Sequence, residues 1–166
     1  MRIMIVNWLQ VFHLLILLIL PDNGNTECAL GWHHLGSSCY LFSHERFNWF
    51  QAEFSCSAHN ARLAEVQSKE QATFLVNMGK TQGPGQSYWL GGRDDVIEGM
   101  WTWAQTDQPF NFTDWYPNVP DNKARNENCL HMYAAYNLKW NDATCTGLYR
   151  FICEQEYSGD GSEIIG

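Results

Sequence analysis

Six cysteines constrain this chain more than any other feature, because all of them fall after an apolar start and none forms a C-x-x-C pair. They are Cys28, Cys39, Cys56, Cys129, Cys145 and Cys153. Met1 and Arg2 lead into a largely apolar stretch, densest over residues 11–20, and Pro21, Asp22, Asn23 and Gly24 then break it. A basic start, a short apolar core and a polar exit describe a secretory signal peptide. Asn7, Gln10 and His13 interrupt the run, and its unbroken part is about half the ~20 residues a membrane span needs. Residues 1–24 therefore read as a cleaved signal, cut within 24–26, with no membrane span left after cleavage and a secreted, extracellular product. Export places the cysteines in an oxidising compartment, where an even number invites disulfides. Zinc ribbons and thioredoxin-type redox chemistry lack their C-x-x-C pairs. Six cysteines can pair in many ways, and spacing alone selects none of them.

The length beyond the leader suits a single domain, 27–156, followed by a loose tail, 157–166. With 10 basic against 18 acidic residues the net charge is −8, which argues against a nucleic-acid partner. Aromatic content of 14% beside only 17% charged residues excludes a disordered chain. A hairpin is expected over 28–42, turning at Gly36, Ser37 and Ser38. A helix capped by Asn48, with Gln51 completing a capping box, has Phe50, Ala52, Phe54 and Cys56 on its apolar side and runs to about Asn60. Ser68 and Gln71 form a second capping box, opening a helix that stops near Gly79. Short strands follow at 88–90, 101–103, 130–136 and 149–153. Residues 104–128 are almost all turn formers, a length of loop that is usually functional or disordered. Phe110, Phe112, Trp115 and Tyr116 indicate that this one packs. Two early helices, late strands and a long loop give an α+β domain.

Catalytic motifs nearly appear and fail. Gly79-Lys80-Thr81 resembles the end of a P-loop, but Phe74 occupies the first glycine position. His44-Glu45 lacks the second histidine of a zinc-protease helix, because Asn48 stands there. Neither an EF-hand spacing around Asp94 and Asp95 nor a G-x-S-x-G is present. His33 and His34 are adjacent, so on a strand they point to opposite faces and make a poor metal pair. The chain does not read as an enzyme.

Side-chain oxygen stands out instead. Asp121, Asn122, Glu127 and Asn128 crowd one end of the long loop, and Asn141 and Asp142 follow Trp140 a strand later. Calcium takes about 6–8 hard oxygen ligands, and carboxylates with amides supply them, although the same residues are ordinary turn formers. Motif order adds to this. Trp89-Leu90-Gly91-Gly92, Val119-Pro120-Asp121, Glu127-Asn128-Cys129, Trp140-Asn141-Asp142 with Cys145, and Phe151-Ile152-Cys153-Glu154 occur in sequence. In these elements the chain resembles the C-type lectin domain family, in its long form, over residues 28–154.

The resemblance implies a C-type lectin-like fold with two helices, small antiparallel sheets and a long calcium- and ligand-binding loop. It implies the pairs Cys28–Cys39, Cys56–Cys153 and Cys129–Cys145. It implies core roles for Trp89, Leu90, Trp140 and Phe151. It carries a principal calcium and sugar site onto Asp121, Glu127, Asn141 and Asp142. Val119 stands at the fifth ligand position, where an isopropyl group offers no oxygen, and water can fill such a place in a calcium shell. An auxiliary calcium site would use Asp94, Glu98, Asn122, Asn128 and the backbone oxygen of Glu127. Asp121 as the last residue of its triplet leans toward galactose-type glycans, without an aromatic over 122–125 to stack on the sugar.

Two functions follow from the resemblance. One is a secreted calcium-dependent glycan-binding protein, acting in innate recognition. The other is a lectin-like domain that binds a protein, mineral or ice surface without sugar, motivated by Val119. Asn111-Phe112-Thr113 is an N-glycosylation sequon on the loop. All six cysteines find partners within the domain and no coiled-coil or collagen repeat precedes Cys28, so a monomer or non-covalent dimer is expected.

Overall fold

The computed structural model describes residues 28–157; the expected signal peptide and the tail from 158 lie outside the described residues. The elements are β1 (His33–Leu35), β2 (Ser38–Phe42), α1 (Trp49–Ser57), β3 (Arg62–Leu63), α2 (Lys69–Gln82), β4 (Tyr88–Arg93), β5 (Thr102–Trp103), β6 (Cys129–Tyr133), β7 (Lys139–Ala143) and β8 (Arg150–Glu156). Two 3-10 turns, Lys123–Arg125 and Ala134–Tyr136, flank β6. The strands lie in the order β1-β2-β8-β4-β6-β7, with β3 joined to β8 and β5 to β4.

The expected sheets were antiparallel, and one pairing departs from that. β4 and β8 run parallel, matching Tyr88 with Arg150 and Trp89 with Phe151. The C-terminal strand is antiparallel to β2, and lying beside β4 in that direction makes the sheet mixed. β4 and β8 are buried on both faces. Tyr88, Leu90 and Ile152 join one apolar cluster with Trp101, Trp103, Leu130 and Trp140, whereas Trp89, Phe151 and Cys153 join the other with Trp49, Ala52 and Cys56. Successive side chains of a strand alternate faces, so two central strands serve both cores.

The helix starts follow their sequence signals. Asn48 accepts from the Gln51 backbone N–H at 2.9 Å, and the Gln51 side chain accepts from the Asn48 N–H at 3.2 Å. Ser68 caps α2 by accepting from Gln71 N–H, but that capping box is half made. The Gln71 amide instead accepts from Gln67 N–H and donates to the Tyr40 hydroxyl. α2 also continues past Gly79 to Gln82. That glycine is a contact position rather than a stop, since an added Cβ would meet Leu138 at 3.0 Å and the Tyr88 ring at 3.3 Å.

The apolar side of α1 is rotated from its expected place. Trp49, Ala52 and Cys56 are buried, while Phe50 and Phe54 are 54% and 75% exposed. The Trp49 indole donates to Leu90 O at 2.8 Å, and Cys56 is bonded to Cys153. These two ties turn the i, i+3, i+7 stripe inward and leave the phenylalanines on the outer face.

All three expected disulfides are present, joining Cys28 to Cys39, Cys56 to Cys153 and Cys129 to Cys145. A separation of 97 residues at Cys56–Cys153 gives a loop-closure stabilisation of ~4–5 kcal/mol in the chain-entropy picture.

Candidate functional site

An aromatic foundation carries the long loop. Trp103 lies 4.2 Å from Phe110, Trp101 5.0 Å from Trp115, and Trp115 5.6 Å from Trp140, centroid to centroid. The loop is then tied to the edge of β7: Trp140 N–H donates to Asp114 O and Tyr116 N–H to Trp140 O, both at 3.0 Å. This seam sets residues 117–122 beside Asn141 and Asp142.

Asp142 organises the turn that follows. Its Oδ2 accepts from the backbone N–H of Asp121 at 3.0 Å and of Asn122 at 2.6 Å. Asn122 sits in the left-handed region with φ 41° and ψ 51°, a conformation asparagine tolerates better than most residues. Its Oδ1 accepts from Glu127 N–H at 3.1 Å and its amide donates to the Glu98 carboxylate. Glu127 Oε2 in turn accepts from Lys123 N–H at 3.0 Å. The turn is thus held largely by the side chains singled out in the sequence.

Three carboxylates converge there. Asp121, Glu127 and Asp142 each present an oxygen within 4.8 Å of the other two, with Asp121 exposed and Asp142 fully buried. Burial raises the Glu127 and Asp142 carboxyls above the ordinary carboxylate range, and repulsion within the group adds to it. Asn141 precedes Asp142 on β7 and pairs with His131 across to β6. Its amide nitrogen donates to His131 Nε2 at 3.1 Å and to the Asp142 backbone carbonyl. Val119 is half-buried, precedes a cis peptide bond to Pro120, and brings no oxygen from its side chain.

The second predicted set is partly assembled. Asp94 is 3% exposed, and its Oδ2 accepts from Gly99 N–H at 2.9 Å. Burial first, then Glu98, Asp142 and Asp95, raise its pKa. Asp94 N–H donates to Asn128 O at 3.2 Å. Glu98 is reached through Asn122.

The residues present fit a hard cation. Among the described residues the buried side-chain oxygens without a hydrogen-bond partner are Asp94 Oδ1, Asn128 Oδ1 and Asp142 Oδ1. All three belong to the predicted ligand sets. Buried acceptors left bare are costly, and a divalent cation would satisfy them while lifting the mutual repulsion.

His131 was not marked by the sequence reading. It is 1% exposed, packed against Trp89, Tyr133 and Tyr149, and burial pushes its pKa down to about 3. The only signal was its place two residues after Cys129 on an alternating strand. Asn111 is exposed while Phe112 packs edge-on against Trp140. Among the described residues no helix is long and apolar enough to cross a membrane.

Comparison with known proteins gives consistent matches. The family model of the Lectin C-type domain matches residues 45–155. Perlucin of Haliotis laevigata is 35% identical over 130 residues, covering 78% of this chain and 83% of that protein. The galactose-specific lectin nattectin of Thalassophryne nattereri is 33% identical over 132 residues, covering 77% and 80%. Among solved structures, the mouse scavenger receptor C-type lectin carbohydrate-recognition domain aligns with a TM-score of 0.73 at 27% identity, over 80% of this chain and all of that one. A calcium-independent type II antifreeze protein aligns with a TM-score of 0.69 at 25% identity, over 78% and 95%.

Proposed function

This chain belongs to the C-type lectin domain family, and from that premise we propose that it is a secreted, calcium-dependent glycan-binding protein. The observation that carries the reading is the convergence of Asp121, Glu127 and Asp142 within 4.8 Å, with Asp142 Oδ1 buried and bare. Asp121, Glu127, Asn141 and Asp142 would hold the principal ion, with water at the place Val119 leaves open. Asp94, Glu98, Asn122, Asn128 and the Glu127 carbonyl would hold an auxiliary one. Bound calcium supplies a cation that accepts sugar hydroxyl oxygens. The protein's own part is to keep the carboxylates ionised and gathered, and to accept hydroxyl protons from the sugar on oxygens not spent on the metal. Binding, not catalysis, is the expected activity.

A galactose-type ligand is favoured by Asp121 at the end of its triplet and by the name of the relative nattectin. Asn111, exposed on the loop, is a glycosylation acceptor in this reading, and a monomer or non-covalent dimer is the expected state. A glycan array in calcium and in chelator tests the proposal: chelator-sensitive hits support it, and their absence together with no calcium heat in titration calorimetry overturns it.

A second reading has its own support. Val119 removes a metal and sugar partner at once, and one structural neighbour is a calcium-independent antifreeze protein. Under it the domain binds a protein, mineral or ice surface without sugar, and ice-recrystallisation and mineral-adsorption assays unaffected by chelator would favour it over the first.

A further inference from the structure

His131 faces Asn141 directly across the β6–β7 pair. Its imidazole is buried among Trp89, Tyr133 and Tyr149, and its Nε2 lies 3.1 Å from the Asn141 amide nitrogen. An amide nitrogen only donates, so Nε2 must be the accepting nitrogen and the ring proton sits on Nδ1. That Nδ1 is buried with no hydrogen-bond partner. The imidazole therefore leaves one polar atom unsatisfied in an apolar setting, a position an aromatic hydrocarbon would fill without that penalty.

What the ring secures is the orientation of one amide. The Asn141 Nδ2 group is held by two acceptors, His131 Nε2 and the Asp142 carbonyl. Among the described residues no hydrogen bond reaches Asn141 Oδ1. Turning the amide over would set its oxygen against the Asp142 carbonyl oxygen, and against the Nε2 lone pair as long as the ring proton stays on Nδ1. We propose that His131 is a positioning residue: it clamps the nitrogen end of Asn141 so that the oxygen end is the one offered to the cation. The proposal rests on the calcium reading of the site. Groups that orient a metal ligand commonly change metal affinity by about 10–100-fold when removed.

The test compares wild type, His131→Phe and His131→Gln by calcium titration calorimetry and by melting in chelator. His131→Phe is expected to bind calcium at least about tenfold more weakly while melting, without calcium, no lower than wild type. His131→Gln keeps an acceptor and is expected to recover part of the affinity. Wild-type calcium affinity in folded His131→Phe overturns the proposal, and so does an equal loss in both variants, which would mark a packing role. A long-range proton–nitrogen correlation spectrum of the calcium-free wild type reads the tautomer independently of metal and of variant folding. Protonation at Nδ1 supports the clamp and protonation at Nε2 overturns it. If wild type binds no calcium at all, the metal reading fails, and the tautomer still decides the clamp.

Discussion

Replacing Glu127 by glutamine should make the calcium-free protein more stable and the calcium response smaller. Three carboxylate oxygens lie within 4.8 Å of one another. At that separation a like-charge pair costs about 1 kcal/mol in a water-like medium and ~3.5 kcal/mol at an effective dielectric of about 20. Asp121 is exposed and Glu127 half-buried, so solvent screening favours the lower figure. Glu127→Gln removes its pairs with Asp121 and Asp142, a relief of about 2 kcal/mol. Against this, the bond from Lys123 N–H to Glu127 passes from a charged to a neutral acceptor, a loss of about 1 kcal/mol. The net gain of about 1 kcal/mol corresponds to a Tm rise of roughly 3–4 °C for a domain of this size. With calcium the sign reverses, because a ligand charge is gone, and affinity should fall about tenfold or more. Scanning calorimetry of both proteins in chelator and in millimolar calcium gives the two numbers. Glu45→Gln, at an exposed carboxylate away from the cluster, is the control that should move neither. A Glu127→Gln protein that melts at or below wild type in chelator, with the calcium shift intact, would refute the crowding argument.

Val119→Glu should raise calcium affinity by supplying the missing oxygen; unchanged affinity in calorimetry would remove that position from the ligand set. Cys28→Ala/Cys39→Ala and Cys129→Ala/Cys145→Ala open loops of 11 and 16 residues and should each cost ~3 kcal/mol in urea melts. Only the second, whose Cys129 follows Glu127 and Asn128, should also weaken calcium binding. Burial raises the Tyr40 hydroxyl to about 12. The unfolded chain then loses this proton near its ordinary value of 10.0 while the fold keeps it. Stability should fall as pH rises between those values, by about 2–3 kcal/mol from this group. Tyr40→Phe should reduce the slope in denaturant melts at high pH by this share, leaving the smaller part due to Tyr88 and Tyr149, whose hydroxyls burial also raises.

Much of the fold could be read from local chemistry. The Asn48 capping box, the Ser68 cap and the alternation of Trp101 and Trp103 are signals whose physics is complete within a few residues. The disulfide pairs were available only through the family likeness, since no local property of Cys56 points to Cys153. Errors arose where tertiary ties outweighed local pattern. Phe50 and Phe54 look inward on a helical wheel, and it is the Trp49 indole bond and the Cys56 bridge that rotate them out. Gly79 looks like a stop, yet the helix runs through it to Gln82, with Leu138 and Tyr88 packed close over that position. At the site, Asp121, Glu127, Asn141 and Asp142 were singled out through the family likeness, because carboxylates and amides in a turn-rich loop are by themselves ordinary turn formers. His131 was not, because its value comes from a partner on the next strand.

The distribution of unsatisfied atoms separates structural polarity from functional polarity in this domain. Glu154 is as buried as Asp94, but its carboxylate accepts from Ser38, Tyr40 and the Glu65 backbone and sits 3.6 Å from the Arg62 guanidinium. That network joins β2, β3 and β8 and leaves little for an outside group to improve. By contrast, Asp94, Asn128 and Asp142 each keep one bare buried oxygen, and nearby carboxylates repel those of Asp94 and Asp142. Among the described residues the other buried side-chain atoms without a hydrogen bond are nitrogens on Arg62, Arg93, Trp101, Trp103, His131 and Arg150. A cation can satisfy bare oxygens and does nothing for bare N–H groups. The oxygens gather at one loop and strand end, so calcium should protect this region selectively. Amide hydrogen exchange should slow at Asp121, Asn122, Lys123 and Glu127 on calcium addition, while the Glu154 network exchanges at its calcium-free rate. Uniform protection across both regions would mean that the bare oxygens do not mark the site.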